Sequence, residues 1–443
     1  MNIKIEEAAQ HLSEVIQIKS LSSRIYEEID FEPFLKIHQW LKDTYPLIHQ
    51  QANIEVINTG ALLYTFKAKA PKKLPLLFMA HMDVVPVDEK TADQWKFDAF
   101  SGTIDNRIIY GRGAKDMKNQ MVAFFEATEL ALKEGKEFDY DLYFCLGYDE
   151  ENGGLNGMAK IVEHLKQQEI KIGTVIDEGG TINNGIMGIP GEFALIGVSE
   201  KGFANVKITA KGIGGHSSMP PIHTALGKVC KAASLLEEHQ MPIVVSDVFK
   251  EMMNTLKPFL PSEISSSLDI EDSRKIEAMI ANMSSANALL RTTTAVTMAQ
   301  GAPAPNVLPS VASVMVNFRI IPGDSIDSLV SHIREVIGDE FELEFQQRSE
   351  PSKISLMDEE YQLLQQTIKE VCPELKAAVP FVMVGATDSK YFDDICDHIY
   401  KFGPFKCSDE ELKTVHGVNE FLRFEDLELG IRFFYQMLHN YVK

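Results

Sequence analysis

The sequence has 443 residues and a formal net charge of −21 at neutral pH, from 43 basic and 64 acidic side chains. So acidic a chain repels nucleic acid and anionic membrane surfaces, and we expect neither as a partner. Hydrophobic residues make up 45% of the chain and charged residues 24%, the proportions of a packed globular protein. The length predicts two or three folding units, and two is the starting hypothesis.

The first residues and the cysteines indicate the cellular compartment. The opening segment, MNIKIEEAAQHLSEVIQ, lacks a basic region followed by an apolar run, and no apolar stretch approaches the length of a membrane span. The cysteines are scattered singly, without the spacing of a zinc finger or a disulfide framework, at Cys145, Cys230, Cys372, Cys396 and Cys407. We therefore expect a cytoplasmic protein, in which other side chains hold any metal ion.

Helical and strand-like patterns alternate in the first part of the chain. Helical periodicity covers residues 4–18, 31–43 and 117–134. Short apolar runs typical of buried strands cover residues 74–80, 141–147 and 172–176. This alternation predicts an α/β sheet covered by helices, and ligands of such sheets bind beyond the carboxyl ends of the strands.

From about residue 199 the order of elements changes to β-α-β-β-α-β, which is ferredoxin-like. The six elements are expected at 203–212, 222–238, 292–300, 311–320, 325–337 and 340–347. The proline-containing stretch 241–290 forms a helical insertion after the first of these helices. We therefore predict a larger domain in two parts, 1–198 and 349–443, with a small α+β domain, 199–348, inserted between them.

His81 and Asp83 follow the first buried-looking strand. They are two residues apart, so in extended chain they point the same way, and the carboxylate can orient the imidazole for metal binding. Taken alone, the pair is more simply a solvated strand end. Asp116 follows a glycine-containing turn that lacks the spacing of a phosphate loop, and alone it is equally well explained as a helix cap.

Two further predicted strands end in carboxylates. Glu150 and Glu151 follow one of them, and Asp177 and Glu178 follow the other. A single acidic strand end is usually solvated, but like charges that converge on one face of a sheet repel unless a cation lies between them. His416, in the segment VHGVNE, supplies a second imidazole, although a lone histidine of this kind is more often structural.

Two segments of the small domain contain polar candidates. The glycine-rich segment GIGGHSS, residues 212–218, contains His216 and alone reads as a turn. The segment NFRIIPG, residues 317–323, contains Arg319, which by default is a surface arginine.

These motifs in this order resemble the co-catalytic zinc peptidase family that includes carboxypeptidase S, carboxypeptidase G and aminoacylase. The resemblance spans roughly residues 75–425. The segments ATDSKY at 386–391 and YKFGP at 400–404, together with the insertion, look most like the carboxypeptidase S branch. The resemblance implies an α/β fold, with a zinc-peptidase catalytic domain and an inserted ferredoxin-like α+β lid domain.

The resemblance also implies roles for residues at the predicted strand ends. It makes Asp116 a bridge between two zinc ions and gives, as the complete ligand set, His81, Asp116, Glu151, Asp177 and His416. Glu150 is implied as the general base for a metal-bound water, and Asp83 as the carboxylate behind His81. Mixed imidazole and carboxylate ligands suit zinc, although cobalt and manganese occupy similar ligand sets.

For the remaining candidates the resemblance implies contacts with the substrate. His216 is implied as a donor to the developing oxyanion, and Arg319 as the clamp on a substrate carboxylate. Asn306, Gly385 and Thr387 match further substrate-contact regions. The expected function is a two-zinc hydrolase that cleaves amide bonds of short peptides or N-acyl amino acids with a free carboxylate.

Two other functions and one assembly stay open. A two-metal phosphoesterase would use similar ligands, but the acidic chain and the missing phosphate loop disfavour it. A non-catalytic metal-binding protein could keep the same fold, but the complete ligand set with Glu150 disfavours it. A homodimer formed through the small domain is a third expectation, which the 241–290 insertion could prevent by covering that surface.

Overall fold

A computed structural model describes residues 1–262, 265, 272, 274–276 and 284–442. The described chain divides into two compact units. The first unit comprises Met1–Val198, Ser355–Val379 and Thr387–Lys443, and the second comprises Ser199–Ile354 and Pro380–Ala386. The sequence-based boundaries lay after residues 198 and 348, and the second unit extends six residues beyond the latter.

The secondary-structure elements are numbered here in chain order. The strands are β1 Asn53–Ile57, β2 Ala61–Phe66, β3 Leu76–His81, β4 Ile104–Asp105, β5 Ile108–Tyr110, β6 Leu142–Gly147, β7 Thr174–Asp177, β8 Ile182–Ile186, β9 Ile189–Glu200, β10 Gly202–Lys211, β11 Gly215–His216, β12 Thr293–Gln300, β13 Val307–Leu308, β14 Val311–Ile320, β15 Glu342–Ser349, β16 Ala377–Met383, β17 Ile399–Lys401 and β18 Phe421–Arg423. The α-helices are α1 Ile5–Ile16, α2 Glu32–Thr44, α3 Pro46–Gln51, α4 Lys118–Lys133, α5 Met158–Gln167, α6 Ala225–Glu238, α7 Asp247–Leu256, α8 Ser284–Leu290, α9 Ile326–Ile337, α10 Glu359–Val371, α11 Asp409–Leu412 and α12 Phe424–Asn440.

The first unit is built on a mixed sheet in which neighbouring strands run in the order β1-β2-β6-β3-β7-β17-β9. Strands β6, β3, β7 and β17 are mutually parallel, whereas β2 and β9 join them antiparallel. Every residue of β3, β6 and β7 is buried, as expected for parallel strands covered on both faces. The predicted α/β sheet is confirmed, and the carboxyl ends of its three central strands lie on one edge.

Aromatic side chains fix the helices of this unit against the sheet. Phe124 of α4 contacts Phe78 of β3 and Phe144 of β6, and Phe434 of α12 contacts Phe78 and Phe124. All four rings are fully buried. The Phe78–Phe434 and Phe124–Phe144 ring centroids are each 4.9 Å apart. Such pairs contribute roughly 0.5–1.5 kcal/mol each beyond the burial of their area. The cluster therefore holds β3 and β6, whose ends carry candidate site residues.

The second unit is an antiparallel sheet in the order β12-β14-β10-β15, with α6 and α9 packed against it. Along the chain the order is β10-α6-β12-β14-α9-β15, so the predicted ferredoxin-like arrangement is confirmed. Alternate residues of β10 are buried, because one face of its sheet packs on the helices. The insertion contains α7 and α8, and other parts of 241–290 lie outside the described residues.

No helix in the described part of the chain is both long enough and apolar enough to cross a membrane.

A buried lysine at the start of α4 joins this helix to the end of α1. The Lys118 side chain is fully buried, and its Nζ donates hydrogen bonds to the carbonyl oxygens of Val15, at 2.9 Å, and Ile18, at 2.7 Å. Burial lowers the pKa of Lys118 to about 7. A neutral amine can still donate both bonds, so the folded protein tolerates the loss of this proton.

We expect Lys118 to make stability rise with pH above neutrality. In the unfolded chain the lysine stays protonated up to pH ~10. Between about pH 7 and 10 the unfolded state therefore holds one more proton than the folded state. The free energy of unfolding then rises by ~1.4 kcal/mol for each unit of increase in pH. Replacing Lys118 with Met should remove this slope, whereas Lys133→Met, on the exposed end of the same helix, should keep it. Urea unfolding at pH 7, 8 and 9 measures the difference, and parallel curves for all three proteins would contradict it.

Candidate metal centre

Candidate ligands follow the carboxyl ends of the three central parallel strands of the first unit. Strand β3 ends at His81, and β7 is followed by Glu178. Beyond β6 the chain enters a 3₁₀ turn, Glu150–Asn152, which carries Glu150 and Glu151. Parallel neighbours end on the same edge of a sheet, so these side chains meet there.

Three sets of side chains in the described residues bring possible ligand atoms within 4.8 Å of one another. The sets are His81–Asp116–Glu178, His81–Glu150–Glu151 and Asp116–Glu151–His416. They share members, so they form one continuous cluster. Of the predicted ligands, the cluster contains His81, Asp116, Glu151 and His416.

Asp116 lies between the two imidazoles. Its Oδ1 is 3.0 Å from Nε2 of His81, and its Oδ2 is 2.9 Å from Nε2 of His416. The two oxygens of one carboxylate therefore face two different histidines, which is the arrangement that a bridging ligand requires. Glu151 Oε2 also lies 3.2 Å from His416 Nε2, and Glu178 Oε1 lies 3.3 Å from His81 Nε2.

The cluster strongly perturbs the acidity of its members. Burial raises the pKa of Glu178 to about 8, and the charge of Asp116 adds to the effect. The carboxylates of Asp116 and Glu151 raise the pKa of His416 to about 10. Burial alone would lower the pKa of His81, but its acidic neighbours raise it well above the ordinary value. The raised pKa values show that the negative charges of this cluster are not balanced within the protein, and a bound cation would balance them.

The donor set fits divalent zinc. Imidazole nitrogens and carboxylate oxygens are its ordinary ligands beside thiolates. Among the described residues, Oε1 of Glu151 is buried without a hydrogen-bond partner. A buried carboxylate oxygen of this kind costs free energy unless something compensates for its lost hydration, and a metal ion does so.

Asp83 fixes the geometry behind His81. The Nδ1 of His81 lies 2.9 Å from the Asp83 carbonyl oxygen and 3.4 Å from its Oδ1, which leaves Nε2 facing the cluster. The backbone N–H groups of Glu150 and Glu151 each donate to the Asp83 carboxylate, at 3.2 Å. Ser22 Oγ donates to the same carboxylate at 2.7 Å. Asp83 therefore orients one imidazole and the turn that carries two carboxylates.

Asp177 is placed differently from its predicted role, because it belongs to none of the three sets. It is the last residue of β7, its side chain is buried, and its carbonyl accepts a hydrogen bond from Phe402 N at 2.8 Å. Successive side chains of an extended chain point in opposite directions, so only one of two neighbours faces the cluster. In this structure that neighbour is Glu178.

The predicted substrate contacts lie mostly in the second unit. His216 is exposed, pairs with Val307 in the β11–β13 ribbon, and has its Nδ1 2.8 Å from Ser218 Oγ. The carbonyl of Asn306 accepts a hydrogen bond from Ser217 N, so the His216 and Asn306 loops lie together. Arg319 projects from β14 with its guanidinium 6.0 Å from the Phe203 ring centroid.

Two predicted contact residues lie on either side of the boundary between the units. Gly385 is exposed and belongs to the second unit, whereas Thr387 is buried and belongs to the first. The Thr387 hydroxyl accepts a hydrogen bond from Ser389 N at 3.3 Å and thereby caps the following 3₁₀ turn, Asp388–Asp394. Thr387 therefore has at least this local structural role.

Residues 77–440 match the profile of Peptidase family M20/M25/M40, which covers more than half of the chain. The chain belongs to this family. "Probable carboxypeptidase S-like 2" of Dictyostelium discoideum is 32% identical over 450 residues, covering 98% of this chain and 85% of that protein. Human "N-fatty-acyl-amino acid synthase/hydrolase PM20D1" is 34% identical over 397 residues, covering 87% of this chain and 78% of that protein.

A solved structure confirms the fold. The M20 family metallo-carboxypeptidase Sso-CP2 from Sulfolobus solfataricus superimposes with a TM-score of 0.70 at 20% identity, covering 98% of this chain and 99% of that chain. The predicted family and its carboxypeptidase S relationship are thus confirmed, as is the prediction of a metallohydrolase. Metallopeptidases of this family use metal ions, typically zinc.

Sequence reasoning gave no role to Glu178 and did not consider Ser22. Glu178 directly follows Asp177, and which of two adjacent acidic residues is the ligand is an ambiguity that the sequence pattern alone leaves open. Ser22 lies in no recognisable motif, and only the folding of the N-terminal segment brings its hydroxyl to the Asp83 carboxylate.

We expect Glu178, and not Asp177, to bind metal. Glu178→Gln should lower the zinc content of the purified protein by about one ion per chain and weaken the remaining site, since His81 and Asp116 lose a shared neighbour. The matched variant Asp177→Asn should keep the native zinc content. Elemental analysis after reconstitution gives both values. Loss of zinc from Asp177→Asn with retention by Glu178→Gln would restore Asp177 as the ligand.

Proposed function

We propose that this protein is a two-zinc hydrolase that cleaves amide bonds of short peptides or N-acyl amino acids with a free carboxylate. The observation that carries the proposal is the position of Asp116, whose two oxygens face His81 and His416. The ligands we propose are His81, Asp116, Glu151, Glu178 and His416. Zinc ions held by them would polarise the amide carbonyl and make water more acidic.

Glu150 is the residue we propose as general base. Its side chain belongs to the same cluster, with Oε2 3.9 Å from Nε2 of His81. Burial raises the pKa of Glu150 well above its ordinary value, and the neighbouring carboxylates of Asp388, Glu178 and Glu151 add to the effect, whereas His81 opposes it. A raised pKa makes the carboxylate a better proton acceptor, so it can take a proton from water and pass it to the leaving nitrogen.

The substrate class rests on Arg319 and on the relatives. Arg319 is exposed. Burial lowers the pKa of Lys201 to about 8, and the nearby charge of Arg319 adds to the effect. Two neighbouring cations create a positive potential that favours an anionic group. The carboxypeptidase S-like relative and the N-fatty-acyl-amino acid hydrolase are named for substrates that carry a free carboxylate. We also propose His216 as the donor to the oxyanion, on the family resemblance.

A panel of substrates tests the proposal and separates the two kinds of amide. Dipeptides, acetyl amino acids and long-chain acyl amino acids should be assayed with the zinc-loaded protein, together with a phosphodiester. Turnover of either amide class supports the proposal and ranks peptidase against acyl-amino-acid hydrolase. Turnover of the phosphodiester alone would favour the phosphoesterase alternative, and a zinc-loaded protein without turnover would favour a binding protein.

Location and assembly are further proposals. The described cysteines form no disulfide bond with one another, which suits a reducing compartment, and we propose a cytoplasmic location. We also propose a homodimer formed through the second unit, as in the family that the sequence resembles. Fractionation of source cells and light scattering of the purified protein test the two proposals separately.

Glu150→Gln should retain zinc but lower turnover at least about a hundredfold, because the amide cannot accept the proton. The shape of the side chain is conserved, so zinc content should stay native. Glu163→Gln on α5, which changes an exposed carboxylate of the same unit, should have native turnover. Near-native activity of Glu150→Gln would exclude Glu150 as the base.

Arg319→Ala should reduce kcat/KM for a free-acid substrate by on the order of tenfold or more, because the guanidinium can hold both carboxylate oxygens. The loss should be much smaller for the amidated analogue, which never forms the charged pair. Arg348→Ala is a matched control, since Arg348 is also exposed on this sheet and has its guanidinium 5.4 Å from the Phe345 ring centroid. Equal losses for acid and amide would indicate a structural role for Arg319.

A further inference from the structure

Glu420, a buried carboxylate outside the candidate ligand set, accepts hydrogen bonds from the backbone of the loop that carries Asp116. Oε1 of Glu420 accepts hydrogen bonds from the backbone N–H groups of Gly113, at 3.1 Å, Lys115, at 2.8 Å, and Asp116, at 3.1 Å. The Glu420 side chain is completely buried. Three convergent N–H groups on one oxygen define the position of the loop that carries Asp116, because such bonds to an ionised acceptor are strong and directional.

The second oxygen of Glu420 is linked to the His416 loop through Arg112. Nη1 of Arg112 donates to Oε2 of Glu420 at 2.6 Å, and Nη2 donates to the carbonyl oxygen of Gly417 at 2.9 Å. Arg112 is only 3% exposed, and Gly417 directly follows His416. The Arg112 guanidinium therefore links Gly417, the residue after His416, to Glu420, whose carboxylate holds the loop that carries Asp116.

The backbone of His416 needs such support. Its φ is +58°, in the left-handed region that a residue with a side chain seldom adopts. Residues in that region persist where the surrounding structure determines their conformation. Here Gly417 N donates to the Thr414 carbonyl at 2.9 Å, and Asn419 Oδ1 accepts a hydrogen bond from Lys96 N at 2.6 Å. The Arg112 bond to the Gly417 carbonyl oxygen is a further contact that holds this turn.

We propose that Glu420, acting through Arg112, is a positioning residue that sets Asp116 and His416 against each other for metal binding. The inference rests on the proposed ligand roles of those two residues. Arg112 and Glu420 are 308 positions apart in the sequence, so their pairing spans the chain between the two ligand loops. Neither side chain belongs to the candidate ligand sets, so their effect on metal binding is exerted through the backbone.

Replacing Glu420 with Gln tests the inference. The glutamine oxygen can still accept the three N–H bonds, but its amide group would face Arg112 and leave a buried cation without its partner. Chelator competition should then show zinc binding weakened by about 10- to 100-fold, the range for changes that support a ligand from behind. Glu129→Gln is the matched control, since Glu129 accepts two backbone N–H bonds, from Leu47 and Ile48 at 2.9 Å each, without contacting the ligand loops.

Hydrogen exchange on the metal-free proteins supplies a readout that does not need zinc. The Gly113, Lys115 and Asp116 amides should exchange faster in Glu420→Gln, because a neutral amide oxygen is a weaker acceptor than a carboxylate. Glu129→Gln should leave their exchange unchanged. Arg112→Lys is the second variant and decides the question if Glu420→Gln does not fold, because lysine keeps the charge but lacks the planar fork. It should weaken zinc binding at least severalfold.

The outcomes separate this inference from the proposed function. A native protein that binds no zinc would overturn both. Native zinc binding with unchanged affinity in Glu420→Gln and Arg112→Lys would overturn the positioning role alone. Equal weakening by Glu129→Gln would also overturn it, because the effect would then follow from general loss of stability.

Discussion

Mutual repulsion of carboxylates is the constraint on which the site depends. Asp116, Glu150, Glu151 and Glu178 converge on one imidazole-containing cluster, and burial there raises the pKa of Glu178 to about 8. Burying several like charges together is unfavourable unless cations lie among them. The strand order brings Glu150, Glu151 and Glu178 together with His81, because β6, β3 and β7 are parallel neighbours and end on the same edge. Metal ions bound among these carboxylates would relieve their repulsion, and this relief would contribute to the free energy of metal binding.

The same constraint explains the buried groups around the cluster. Asp83 and Glu420 are both completely buried, yet both are carboxylates beside an already acidic site. Each accepts hydrogen bonds from backbone N–H groups of a segment that carries candidate ligands. Asp83 accepts them from the turn with Glu150 and Glu151, and Glu420 accepts them from the loop with Asp116. Glu420 also pairs with the guanidinium of Arg112, which belongs to none of the candidate ligand sets. These hydrogen bonds within the protein hold the segments that carry the candidate ligands.

The sequence predicted the elements that have strong periodicity and the motifs that end them. Strands β3, β6 and β7 were expected within two residues of their actual starts, because uninterrupted apolar runs are typical of buried parallel strands. The short antiparallel β1–β2 pair was not predicted, since its residues lack that signature. Within the site, the choice between Asp177 and Glu178 depends on where an extended segment ends, and one residue reverses the side chain. Glu420 was beyond prediction because its partners are distant in sequence.

The division into two units separates the chemistry from the expected contacts with substrate. The cluster residues and Glu150 all belong to the first unit, whereas His216 and Arg319 belong to the second. The candidate ligands of the first unit other than His416 are at most 20% exposed, so a substitution there readily disturbs the cluster. The second unit presents its candidates from an exposed ribbon and an exposed strand position, where a side chain can change without disturbing a core. With the proposed substrate contacts at His216 and Arg319, we therefore expect substrate preference to change more readily through the second unit than through the cluster.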